Sequence, residues 1–151
     1  MFAGFAATVQ ARTFTAEVTY VTDGDTIWVK RARANLAIKV RMYGMDAPEI
    51  CQDYGLTARA VLQDRIMHQT VTLDTKARDV YGRIVAKVIF NGEDIGAWMV
   101  ANGHAWSYHS RKSLGPYGRQ ETSARRMGLG LWASGYPMEP KAFRKQTKCK
   151  H

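Results

Sequence analysis

The chain of 151 residues has the length of one ordinary domain, and with 46% hydrophobic and 23% charged residues it is neither disordered nor low in complexity. A formal net charge of +9 points toward polyanionic partners such as nucleic acid, acidic polymers or anionic membrane surfaces, against the plainer reading of a solvated surface. No apolar run is long enough to cross a membrane, and the two cysteines, Cys51 and Cys149, lack the spacing of a zinc site.

Residues 1–11 are apolar and uncharged and end in the small-x-small pattern Val9-Gln10-Ala11, like the last part of a secretory signal without its basic start. A floppy apolar terminus is the alternative. The signal reading places the mature protein outside the cytoplasm, secreted or periplasmic, where a Cys51–Cys149 disulfide is permitted. Such a bridge would close a very long loop, worth about 4–5 kcal/mol in the chain-entropy model. Two unrelated thiols are the other possibility.

Strand signals dominate from residue 13 to residue 90. Residues 15–20 and 26–30 are rich in β-branched and aromatic side chains, and Asp23-Gly24-Asp25 breaks the chain between them. A third strand over 37–43 alternates Ile38, Val40 and Met42 with Lys39, Arg41 and Tyr43, which turns Arg41 away from the apolar face. Pro48 ends that strand region. A helix is predicted over 56–68, with Ala58, Val61, Leu62 and Ile66 at helical spacing. Strands are predicted over 70–74 and 84–90, the second almost wholly apolar and so expected to be buried. After the turn dipeptide Asn91-Gly92, Ile95, Trp98 and Met99 give a second helical pattern that stops by Gly103, and a third helix runs from near Pro116 to near Gly128. Residues 138–151 read as a basic tail without periodicity, in which Lys141, Arg144, Lys145, Lys148 and Lys150 either touch nucleic acid or are solvated. The expected fold is α+β, mainly β: a five-stranded barrel of the oligonucleotide-binding type with about three flanking helices over 12–137.

Three clusters carry chemistry: Asp23-Gly24-Asp25-Thr26, then Arg41 with Asp46-Ala47-Pro48-Glu49, then Asp79-Val80-Tyr81-Gly82-Arg83. Carboxylate oxygens suit a hard cation such as Ca²⁺ or Mg²⁺. Glu49 is a candidate general base or water-positioning group. Arg41 and Arg83 are candidate clamps for a phosphate gaining charge. These parts suit the attack of water on a phosphodiester and are ill suited to acyl transfer. Taken one at a time each cluster has a dull reading, as a turn or a surface ion pair. The three in this order, each at a strand edge or loop, outweigh it.

The set resembles the staphylococcal-nuclease family. The matching text is Val21-Thr22-Asp23-Gly24-Asp25-Thr26, Val40-Arg41-Met42-Tyr43-Gly44-Met45-Asp46-Ala47-Pro48-Glu49 and Asp79-Val80-Tyr81-Gly82-Arg83, with Leu129-Gly130-Leu131-Trp132 as a closing motif. The resemblance implies an oligonucleotide-binding barrel and a Ca²⁺-dependent endonuclease that cuts DNA and RNA with little sequence specificity and leaves 3′-phosphates. It implies Asp25 and Asp46 as carboxylate metal ligands, Ala47 as a ligand through its backbone carbonyl, and Asp23 acting on the metal through water. Glu49 matches the general base. Arg41 and Arg83 match phosphate-binding arginines, Arg83 also assisting the leaving group. Tyr81, Trp106 and Tyr108 are the expected substrate contacts, Trp106 and Tyr108 as stacking platforms. Trp106 stands where a tyrosine is common, Val80 where a lysine is common, and Cys51 lies in a shortened loop. A monomer is expected. Two other classes compete: a non-catalytic binding module on the same fold, and a basic envelope protein that binds acidic polymers through its tail.

Overall fold

The structure is a computed structural model and describes residues 12–150. The secretory-signal reading of residues 1–11 falls outside them. In chain order the elements are β1 (Thr13–Asp23), β2 (Thr26–Lys30), β3 (Ile38–Met42), β4 (Met45–Asp46), α1 (Gly55–Ile66), β5 (Thr70–Arg78), β6 (Ile84–Phe90), β7 (Glu93–Asp94), α2 (Ile95–Ala101), β8 (Trp106–Ser107), α3 (Gly118–Met127), a 3₁₀ turn (Gly130–Ser134) and α4 (Pro140–Gln146).

The sheet runs in the order β3-β2-β1-β5-β6-β7, and a parallel pairing of β3 with β6 closes the first five of these strands into a barrel. Closure is possible because β1 serves two partners. Its first half pairs with β5, from Thr13↔Asp74 to Glu17↔Thr70, and its second half with β2, from Glu17↔Lys30 to Asp23↔Thr26. Register shifts between Val18 and Tyr20 and between Val21 and Asp23 bend the strand and sharpen its twist. The expected fold class is therefore the observed one.

Inside the barrel, Val18, Val21, Ile27, Val29, Val40, Met42, Leu73, Ala86 and Val88 form one buried cluster. β6 departs from expectation. Only Ala86 and Val88 of its seven residues are buried, because one face of a barrel strand looks outward. α1 closes the barrel by setting Ala58, Leu62 and Ile66 against the core at four-residue spacing. Gly128, in the left-handed conformation, ends α3. A smaller cluster of Trp106, Ala124, Leu131 and Trp132 lies beside the main core.

The tail is a correction. Pro140 to Gln146 is helical, with Pro140 in the first turn, where its missing N–H costs nothing. Besides the ion pairs of its Arg144 with Asp46 and Glu49, three attachments hold it. Cys51 and Cys149 form a disulfide across 98 residues. Gln52 Nε2 donates to the Met138 carbonyl at 2.6 Å. His109 faces Glu139 at 3.6 Å. Among the described residues no helix is long and apolar enough to cross a membrane.

Candidate active site

The cleft of about 960 Å³ at the mouth of the barrel gathers Asp23, Asp25, Arg41, Glu49, Asp79, Tyr81, Arg83 and Tyr108 from segments far apart in sequence. The β1–β2 hairpin supplies the first two. Gly24 between them has no room for a side chain: a Cβ there would lie 2.7 Å from the Ala47 Cβ and 2.9 Å from the Ala58 Cβ. The missing side chain is what lets the hairpin press against the loop carrying Ala47 and against α1.

Asp25 is buried and has little freedom. Its Oδ2 accepts from the Ala47 N–H at 2.8 Å, its Oδ1 from the Thr26 hydroxyl at 3.1 Å, and Arg41 forms an ion pair with the same Oδ1. Burial alone would raise its carboxyl, but the charge and hydrogen bonds of Arg41 win and hold it below the usual range. Asp23 has the opposite fate. Burial, and then the negative charge of Asp25, push it up to about 8. The two acids of the hairpin are thus split, one held ionised and one inclined to keep its proton.

Arg41 links the first two clusters. Besides Asp25, its Nη2 donates to Asp46 Oδ1 at 3.2 Å and to the Met45 carbonyl at 3.3 Å. One guanidinium therefore draws two buried carboxylates from different loops to a single point. β4 pairs with β8, Asp46 opposite Trp106, which fixes the backbone of Asp46. Glu49 follows on a tight loop. Its N–H donates to Gln52 Oε1 at 3.1 Å, and its carbonyl crowds Gly55, where a Cβ would stand only 1.9 Å away.

Arg83 is positioned locally. Asp79 Oδ1 accepts from the backbone N–H groups of Tyr81 and Arg83, at 3.0 and 2.9 Å, and its Oδ2 accepts from Arg83 Nε at 2.6 Å. The turn and the guanidinium are organised by one carboxylate. Tyr81, 82% exposed, lies over Arg83 at the cleft edge, and Tyr108 is 57% exposed. Both have a free face for a base.

Trp106 does not. It is 2% exposed and packs edge-on against Trp132 with ring centroids 5.3 Å apart. The expectation of a stacking platform is corrected on this point, since a base needs an open aromatic face. Trp106 instead supports β8, the strand that holds Asp46.

The sequence offers Arg144 only as a nucleic-acid contact or a solvated charge of the tail, and the fold brings it to the centre of the site. From α4 its Nη1 reaches Glu49 Oε1 at 2.7 Å and Asp46 Oδ1 at 3.1 Å, and its Nη2 reaches Asp46 Oδ2 at 3.0 Å. The available signals were Pro140 as a helix start and Cys149 as an anchor, but neither says which residue 98 positions upstream the arginine will meet.

The donor chemistry fits a hard divalent cation: the carboxylates of Asp25 and Asp46 are held together by one guanidinium, with the Ala47 segment bonded to Asp25. Among the described residues no three acidic, histidine or cysteine side chains form a ligand array by themselves. A cation here would draw on carbonyl and water oxygens too, and would compete with the exposed Arg144 guanidinium for the oxygens of Asp46.

A family model described as staphylococcal nuclease homologue matches residues 39–134. The chain is 35% identical over 134 residues to an uncharacterized endonuclease of Haemophilus influenzae, covering 89% of this chain and 75% of that protein. It is 36% identical over 146 residues to a micrococcal nuclease of Shigella flexneri, covering 89% and 83%. It is 34% identical over 128 residues to an uncharacterized endonuclease of Escherichia coli, covering 84% and 82%. Arg41, Asp46, Glu49 and Arg83 lie within the family match, while Asp25 precedes it and Arg144 follows it. With that match spanning well over half of the chain, the chain belongs to the family of staphylococcal nuclease homologues.

Proposed function

We propose that the protein is a nuclease that hydrolyses phosphodiester bonds of DNA and RNA, with Ca²⁺ as its cation, and that it works outside the cytoplasm. The observation that carries the reading is the convergence of Asp25, Arg41, Glu49 and Arg83 on one cleft that is open to solvent, with Asp46 tied to it through Arg41. The nuclease names of the relatives point the same way. The Cys51–Cys149 disulfide favours an oxidising compartment.

When bound by Asp25, Asp46 and the Ala47 carbonyl, Ca²⁺ would supply Lewis-acid charge neutralisation at the phosphate, with Asp23 acting through water. The protein's own groups do the rest. Glu49 sits at the rim, partly exposed, where it takes or orients the proton of the attacking water. Its bond to Arg144 is open to solvent, a kind of pair worth only about 0–1 kcal/mol, so an incoming phosphate can draw the guanidinium away. Arg83 faces the same cleft, aimed by Asp79, and stabilises charge on the phosphate oxygens and on the departing 5′-oxygen, which leaves a 3′-phosphate. Arg41 contributes a second fixed positive charge. Tyr81 and Tyr108 offer faces to the bases beside the bond.

The test is cleavage of single-stranded DNA by the purified protein, with Ca²⁺ and with chelator, beside Glu49→Gln and Arg83→Ala. Cutting should require Ca²⁺, and each variant should lose at least ~10²-fold in turnover. Near-normal cleavage by both variants would remove these residues from the chemistry. Tight DNA binding without cutting under any metal would make the protein a binding module instead.

A further inference from the structure

We infer that the disulfide-pinned tail builds a second nucleic-acid subsite, a basic groove that continues the catalytic cleft and holds the sugar–phosphate backbone of the substrate strand beyond the bond being cut. This rests on the nuclease reading above and adds to it a site for the rest of the polymer.

The groove has a volume of about 970 Å³, equal in scale to the catalytic cleft. Asp23, Glu49, Tyr81, Arg83 and Arg144 line both, so the two meet along a shared edge. Beyond that edge the lining changes character. Lys39 comes from β3, Arg59 from α1, and Lys148 and Lys150 from the segment after α4. Only Asp23 and Glu49 oppose these cations, and both belong to the shared edge. A channel that is acidic where a bond is to be cut and basic where it leads away matches a polyanion strand threaded past a reaction centre.

The side chains are available for that role. Arg59 is fixed by its Nε bond to the Val21 carbonyl at 3.0 Å and a second bond to the Tyr20 hydroxyl at 3.1 Å. Tyr20 is 48% exposed in the same groove and presents a ring to a base. Lys148 and Lys150 are exposed and, among the described residues, have no carboxylate partner within ion-pair distance. Two unpaired lysines on either side of Cys149 would repel each other for no structural return. The disulfide nonetheless holds that segment against the barrel, with the Cys51 N–H donating to the Cys149 sulfur at 3.1 Å. Phosphates between them supply the missing counter-charge.

The decisive experiment compares a labelled single strand of about 20 nucleotides with a small thymidine phosphodiester carrying a nitrophenyl leaving group, which fills only the catalytic cleft. The variant is Lys148→Ala/Lys150→Ala, whose changes are on the surface and leave the fold intact. On the long strand, kcat/KM should fall about tenfold, through KM, and the slope of log affinity against log salt should flatten by about 1.4, two contacts at about 0.7 each. On the small diester the variant should match the parent. Affinity for the strand is read separately, by fluorescence anisotropy in chelator, and mild reduction of the disulfide in the parent protein should weaken it in the same direction. Equal kcat/KM for variant and parent on the long strand, an unchanged salt slope, or a groove that takes a sulfated polysaccharide but not the strand would each overturn the inference. A parent protein that cuts neither substrate, yet binds the strand with the lysine-dependent slope, would sink the nuclease reading while leaving the groove in place.

Discussion

Arg41 and Arg144 both meet Asp46, yet they arrive by different routes. Arg41 comes from a barrel strand, five positions away in sequence, and is mostly buried between Asp46 and Asp25. Arg144 comes from a seven-residue helix at the far end of the chain, 98 positions away, and is 41% exposed. The barrel part of the site is set by the core: pairing of β3 with β2 places Arg41 opposite Thr26, and the Asp25 carbonyl accepts from the Met42 N–H at 2.8 Å. The tail part depends on a disulfide and a few polar contacts. Charge-neutralising contacts of similar length therefore differ in cost of removal. Burial makes the first hard to break, and solvent makes the second easy to exchange.

Arg41→Ala should have the largest effect. It leaves Asp25 buried beside Asp23 without a counter-charge, so urea denaturation should show a loss of about 3–5 kcal/mol, and turnover should fall by ~10²-fold or more. A stability loss below about 1 kcal/mol would mean that the Asp25–Arg41 pair behaves like a surface contact, erasing the contrast.

Trp106→Ala and Tyr108→Ala sharpen the same contrast among aromatics. The buried Trp106 should cost about 3–5 kcal/mol of stability. The exposed Tyr108 should cost within about 0.5 kcal/mol of stability, while weakening strand binding by about 1–3 kcal/mol. Reversal of the two profiles in thermal melts and anisotropy would restore Trp106 as a stacking platform.

Arg144→Gln should raise affinity for Ca²⁺, because the guanidinium covers oxygens of Asp46 and Glu49 that a cation would approach. For so exposed a pair the gain is at most about 1 kcal/mol, roughly fivefold, readable by titration calorimetry on the protein without substrate. Unchanged affinity would mean that the tail arginine does not rest on the carboxylates in solution.

The smallest expected effect lies away from the cleft. His104 is half-buried with Nδ1 2.9 Å from the Tyr54 hydroxyl, and burial lowers its imidazole from the ordinary 6.5. The folded state therefore favours the neutral ring. Its contribution to stability is full above the unfolded value of 6.5 and is lost as pH falls through the lower folded value. His104→Gln should flatten the fall in stability between about pH 7 and about pH 5 in denaturation series. An unaltered slope would assign that fall to other groups.

Much of this molecule was legible in the one-dimensional pattern. Residues 26–30 and 84–90 match β2 and β6 at both ends, and Ile95, Trp98 and Met99 mark α2. These are local matters of β-branched content, alternation and helical spacing, which sequence states directly. The clusters around Asp25, Asp46 and Arg83 were legible for a related reason, since each is a short stretch at a strand end. Three things were not. The exposed face of β6 follows from barrel closure, which is a pairing of β3 with β6. The burial of Trp106 follows from its packing against Trp132, and no periodicity in a two-residue strand announces it. The place of Arg144 follows from a helix docked by a bond between residues 98 apart. Composition and local pattern determined the elements, the acidic and basic clusters and their chemical kind. Tertiary structure alone decided which of them share a cleft, because that depends on long-range closure, burial and a cross-link whose partners lie far apart along the chain.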